Sequence, residues 1–172
     1  MSFATAIDQV HGAVVRDSRA GAAVFRTTND LQQDTEVEVR IGNHRITVDE
    51  PPILGGAGAG PNPVELALAS LGSCQAIAYR VWAHLRGVQL DKVTVEVDGD
   101  LDLRGFFGVE ESVRPGFGDV RVRVRLEGPE SVVVYRALHA DVDRHCPVLD
   151  IFKNPVPVAV EVEIGRGTGR ET

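Results

Sequence analysis

The chain has 172 residues, 43% hydrophobic and 25% charged, and its 25 acidic against 18 basic residues leave a net charge of −7. A chain of this length buries roughly 70% of its unfolded surface as one domain, so its core does not depend on disulfides. The dispersed acidic excess argues against a nucleic-acid or anionic-membrane partner and fits an ordinary globular surface.

Met1 to Asp8 has no basic stretch leading into a long apolar one, so no export signal is expected and the cytoplasm is the expected compartment. In that reducing setting a cysteine pair is more often catalytic than structural. Period-two alternation predicts strands at Gln9–Arg16, Ala22–Thr28, Thr35–Ile41 and His44–Asp49, with Gly42-Asn43 as a hairpin turn. Pro51-Pro52 ends this sheet, and Gly55 to Gly60 forms a glycine-rich loop. The loop lacks the Lys-Ser/Thr ending of a phosphate-binding P-loop, so it is expected to let the backbone pass close to a neighbour.

A helix is predicted over Pro63–Arg86. Asn62 suits the N-cap, Pro63 the first helical position, Glu65 the reciprocal capping contact and Gly87 a left-handed end. Its apolar residues cover most of the circumference, which calls for burial in a core or a large interface. Glu65, Gln75, Arg80 and His84 interrupt it, so a membrane span is not expected. Further strands are predicted at Lys92–Leu103 and Asp119–Glu127, where Arg121, Arg123 and Arg125 form a solvated face. Arg104–Gly118 reads as a loop in which Phe106-Phe107 line a core, an interface or an apolar pocket. Ser131–Arg144 reads as a helix, and Pro147 opens a short turn or helix. Val156–Ile164 reads as a last strand, and Gly165–Thr172 as a frayed tail. The order ββββ-α-ββ-α-β describes one α+β domain over residues 1–172.

The two cysteines carry the chemistry. Cys74 lies midway along the apolar helix, and Cys146 opens Cys146-Pro147-Val148-Leu149-Asp150. Alone, Cys74 reads as a small apolar core residue; paired with Cys146, it points to a dithiol redox site. Placement just ahead of a helix start predicts a lowered pKa for Cys146. His84, His139 and His145 lack metal-ligand spacing with the cysteines, so neither metal nor cofactor is expected. Gly72-Ser73-Cys74 lacks a nucleophile elbow.

Gly58-Ala59-Gly60-Pro61-Asn62-Pro63, a cysteine eleven residues after Pro63, and Cys146-Pro147-Val148 together resemble the OsmC/Ohr family. The names stand for osmotically inducible protein C and organic hydroperoxide resistance protein. Gly55–Arg80, Asp98–Gly105 and Cys146–Val160 extend the likeness over roughly the last two thirds of the chain. The resemblance implies antiparallel sheets wrapped around central helices in an entwined homodimer, with active sites at the subunit interface. It implies thiol-dependent reduction of organic hydroperoxides, with Cys74 peroxidatic, Cys146 resolving and a lipoyl-type dithiol as reductant. The family's catalytic glutamate directly follows the Asn-Pro pair. Here Val64 holds that position and Glu65 comes one step later, rotated by about 100° around the helix. Its arginine comes from an N-terminal strand or loop; of Arg16, Arg19 and Arg26, Arg26 is the candidate. The alternative implied by Val64 is a non-catalytic relative that binds a small apolar ligand at the dimer interface.

Overall fold

Asn62 starts the helix around which the rest is arranged. In this computed structural model, which describes residues 1–165, α2 spans Pro63–Arg86. The Asn62 side chain accepts from the Glu65 N–H at 2.8 Å, and the Glu65 carboxylate accepts from the Asn62 N–H at 2.9 Å. Gly87 ends the helix in the left-handed conformation at φ 63°. Leu71, Gly72, Gln75, Tyr79 and Ala83 form its fully buried stripe.

That stripe packs against a two-stranded antiparallel sheet of β4, Lys92–Asp100, and β5, Asp119–Glu127. Alternation puts Val93, Val95 and Val97 opposite Leu126, Val124 and Val122 on the inner face. The outer face is a charge ladder: Arg121 pairs with Asp100 and Asp119, and Arg123 with Glu96 at 3.2 Å. The three arginines are therefore a solvated face, as their alternation predicts. A short turn of helix, α3 at Leu103–Phe106, opens the connection between the strands. Helix α4, Val132–His145, buries Leu138 and Val142 against Tyr79 and Ala83. Helix α5, Pro147–Lys153, follows after Cys146 alone.

The N-terminal sheet has the order β1-β2-β3, with strands at Thr27–Gln33, Glu36–Ile41 and His44–Val48. The hairpin falls at Gly42-Asn43, where Gly42 takes φ 57°. The apolar side of β2 and β3 (Val37, Val39, Ile46, Val48) faces Leu66 and Ala69 of α2 across an open groove of about 750 Å³.

Beyond β3 the chain folds back on itself tightly. A Cβ on Gly56 would lie 1.9 Å from the Glu50 carbonyl oxygen, and one on Gly60 2.1 Å from that of Thr47. Only glycine permits these approaches. The loop does cradle an anion, and the anion is the chain's own Asp49. That buried carboxylate accepts from Ala57 N–H at 2.9 Å, Ala59 N–H at 3.0 Å, Glu50 N–H at 2.8 Å and the Thr35 hydroxyl at 2.6 Å.

The Thr35 hydroxyl and these amides hold Asp49 at about 2, below its ordinary 3.8. A depressed carboxylate stabilises the fold above its unfolded pKa, and that contribution is lost as pH falls through its folded one. Between about pH 4 and pH 2 the wild type is expected to lose stability that Asp49→Asn already lacks at neutral pH. Urea midpoints for both proteins across that window check this; parallel curves would contradict it.

Three strand expectations are corrected. Gln9–Arg16 belongs to a helix, α1 at Phe3–Arg16, capped by the Ser2 hydroxyl, which accepts from Thr5 N–H. Phe3 packs edge-on to His84 at 5.9 Å, Arg80 lies over its ring at 5.4 Å, and Asp8 meets His84 at 2.8 Å. Ile7, Val10 and Val14 fit the helical spacing that these contacts select. Ala22–Thr28 is strand only from Thr27 onward, where β2 supplies a ladder. Val156–Ile164 keeps its alternation and forms no strand, because no described strand lies beside it. The tail expected to fray lies, from residue 166, outside the described residues. No helix among the described residues is long and apolar enough to cross a membrane.

Candidate functional site

Cys74 sits on the fourth turn of α2, and Cys146 fills the single position between α4 and α5. The break is written locally. Pro147 cannot supply the N–H that would continue α4, and its fixed φ suits the first position of a new helix. Cys146 therefore ends one helix, its N–H bonded to the Val142 carbonyl, and caps the next. The crossing of α4 and α5 over α2 then brings the two sulfurs together: Cys146 Sγ lies 3.5 Å from Cys74 Sγ.

The two thiols, both free, differ in surroundings. Cys74 is half-buried, whereas Cys146 is 2% exposed within a cluster with Leu71 and Leu149. Val97, Val122 and Phe152 pack around them. Burial pushes the Cys146 thiol up, against the Leu149 and Val148 N–H groups that favour its anion, while the adjacent Cys74 sulfur adds to the rise. This corrects the lowered value expected from its place before a helix. The helix start is there, but loss of water outweighs the amides of its first turn. Cys146 keeps its proton and donates it toward Cys74 Sγ.

Glu65 is bound into the capping box at the start of α2. A cleft of about 510 Å³ runs beside the helix from Glu65 to Ser73, the neighbour of Cys74, walled by Leu66, Ala69, Val95 and Val97. Arg26 is exposed just ahead of β1, and Arg19 is paired with Asp17 at 3.0 Å. Among the described residues, no arginine is hydrogen-bonded to either thiol or to Glu65. Phe106 and Phe107 stack edge-to-face at 5.1 Å and are both exposed.

Two polar features near the thiols were not singled out from sequence. The Tyr79 hydroxyl bonds His139 Nδ1 at 2.5 Å, and burial, with the nearby Asp143 carboxylate, pushes it up to about 12. It is therefore a proton donor at neutral pH. Gln75, beside Cys74, is 3% exposed, and its Oε1 has no partner. The sequence signal for each was a polar group on an otherwise apolar helical stripe.

The comparisons with known proteins bear on the fold and the family. No curated protein matches the chain. Among solved structures, an OsmC like protein from Mycoplasma pneumoniae superposes with a TM-score of 0.67 at 17% identity, covering 77% of this chain and 89% of its own. An organic hydroperoxide resistance protein OsmC from Legionella pneumophila gives 0.59 at 21%, covering 76% and 90%. An organic hydroperoxide resistance protein from Elizabethkingia anophelis gives 0.59 at 19%, covering 78% and 91%. These likenesses show the fold. The family model described as OsmC-like protein matches residues 55–161, which hold the glycine-rich loop, the helix of Cys74 and the break at Cys146, and the chain belongs to that family.

Proposed function

We propose that this protein is a thiol peroxidase that reduces organic hydroperoxides through a Cys74/Cys146 dithiol–disulfide cycle, in defence against oxidative stress. The observation that carries this is the 3.5 Å contact between a half-buried and a fully buried thiol. A disulfide requires about 2.05 Å between sulfurs, so closure needs roughly 1.5 Å of travel, within reach of side-chain rotation. The organic hydroperoxide resistance proteins of Legionella and Elizabethkingia, which share the fold, support the same substrate class.

In the cycle, the Cys74 thiolate attacks the outer peroxide oxygen. The O–O bond breaks, the alkoxide takes a proton and leaves as an alcohol, and Cys74 becomes a sulfenic acid. Cys146 then attacks the Cys74 sulfur, its proton leaves with the displaced hydroxyl as water, and a disulfide forms. An external dithiol, of lipoyl type by family likeness, reopens it by exchange and is itself oxidised. The asymmetry of the pair suits this division: the buried Cys146 stays a thiol and its S–H stabilises a negative sulfur at Cys74. The cleft beside Ser73 suits the apolar part of an organic hydroperoxide.

The working unit is proposed to be a homodimer in the cytoplasm. Val156, Val158, Val160, Val162 and Ile164 are 53% to 92% exposed, an apolar strand face with no sheet to cover. The open apolar groove beneath β2 and β3 is the complementary feature. Arg26 is assigned as the cation beside Cys74, and Glu65 as its partner, in the assembled dimer.

With an alkyl hydroperoxide and a dithiol, steady turnover is expected, and Cys74→Ser is expected to lower it by roughly three orders of magnitude or more. Equal turnover in that variant would reject the mechanism. One observation favours a second reading, a thiol-bearing protein that binds a small apolar ligand: Cys74 has no cation bonded to it among the described residues.

A further inference from the structure

Gln75 Oε1 is the one buried side-chain nitrogen or oxygen without a hydrogen-bond partner among the described residues. The other buried polar side chain, Asp49, is fully engaged. Leaving a buried amide oxygen unpaired is costly, whereas an apolar side chain of similar shape would cost nothing there. The oxygen therefore stands ready for a donor that this state of the site directs elsewhere.

Its place in the fold limits which donor that is. Gln75 lies on the buried stripe of α2, one turn after Leu71, which packs on Cys146, and one turn before Tyr79. Helical side chains lean toward the N-terminus and cover the preceding turn, here the level of Leu71 and Gly72. The Tyr79 hydroxyl is committed to His139. In the cluster that Leu71 forms, the fully buried side chain with a proton to donate is Cys146, whose S–H points at Cys74 Sγ. That direction is right for the first chemical step and wrong for the second. To attack the sulfenic sulfur, Cys146 must present a lone pair to it, so its S–H has to turn away.

We infer that Gln75 is a positioning residue for resolution: its Oε1 accepts the Cys146 S–H when Cys74 becomes a sulfenic acid, turning the Cys146 lone pair toward the sulfur it attacks. This rests on the dithiol cycle proposed above. As the S–S bond forms and the S–O bond breaks, the proton is released from its hydrogen bond to Gln75 to the departing hydroxide, which leaves as water, and Gln75 is unchanged.

The test compares Gln75→Met, which keeps the length and loses the strong acceptor, with Gln75→Glu, which keeps an acceptor oxygen. With one equivalent of an alkyl hydroperoxide, Gln75→Met is expected to consume peroxide at the wild-type rate. Disulfide formation from its sulfenic acid should be roughly tenfold slower, the weight of one neutral hydrogen bond at a barrier. Gln75→Glu should stay within about threefold of wild type, a fraction of one such bond. The thermal midpoint of Gln75→Met should match or exceed wild type. Resolution at wild-type speed in Gln75→Met overturns the inference, as does a lower midpoint with both steps slowed equally, which would mark a packing role. An arm independent of activity uses Cys74→Ala, where the Cys146 S–H is left with Gln75 alone. Its infrared S–H band should lie at lower frequency than in Cys74→Ala/Gln75→Met, and identical bands overturn the inference. If wild type does not oxidise at all, the dithiol cycle has failed and the infrared arm still decides on Gln75.

Discussion

Cys146→Ser is expected to consume its first equivalent of hydroperoxide at close to the wild-type rate and then to stop. Serine keeps a donor next to Cys74 Sγ, so the first attack retains its hydrogen bond, but its hydroxyl cannot close a disulfide. Steady turnover with a dithiol should fall to roughly 1% of wild type or less, because the sulfenic acid loses a partner positioned 3.5 Å away. Cys74 should then gain a second and a third oxygen under excess peroxide, seen by mass spectrometry of the intact protein. Cys146→Ala separates the two duties of this thiol, since it also removes the donor and should slow the first step. Turnover retained in Cys146→Ser would mean that the reductant attacks the sulfenic acid directly.

The second large effect concerns assembly. Val158→Glu/Val160→Glu puts two carboxylates on the apolar face of the C-terminal segment, where the wild-type side chains are 81% and 79% exposed in the single chain. Burying two valines against a second chain contributes about 3–6 kcal/mol, and charges in their place would have to be desolvated. The dimer dissociation constant is expected to rise by at least about a thousandfold. Sedimentation equilibrium at micromolar concentration is expected to find the wild type as dimer and this variant as monomer. An unchanged dimer would place the interface away from this segment.

The fold was legible in the chain where the determining interactions are local. Asn62, Pro63, Glu65 and Gly87 mark both ends of α2 because a capping box and a left-handed stop involve only near neighbours. Strands β4 and β5 were legible because one face is apolar and the other charged at every alternate residue. Helix α1 was misread because the apolar positions between Val10 and Val15 satisfy either period, and the contacts of Phe3 and Asp8 with α2 decide between them. The alternation of Val156–Ile164 was read correctly as a pattern, but a strand also needs a ladder, which the described chain does not provide. At the site, the contexts of Cys74 and Cys146 suggested a dithiol pair and family likeness supplied their separate roles; the fold sets the two sulfurs 3.5 Å apart. The proton affinity of Cys146 was not legible, since the chain announces the start of α5 and not the depth at which α4 and α5 bury it. Gln75 was visible only as a polar interruption of an apolar helix.

The central claim is that the two sulfurs form one redox couple. The most direct measurement adds one equivalent of an alkyl hydroperoxide to the reduced protein, counts free thiols and maps any link by non-reducing peptide analysis. The loss of both thiols together, with an intramolecular Cys74–Cys146 bond and none between chains, is the predicted result. Two thiols still titrating after the peroxide is added, or a single oxidised Cys74 beside a free Cys146, would contradict it.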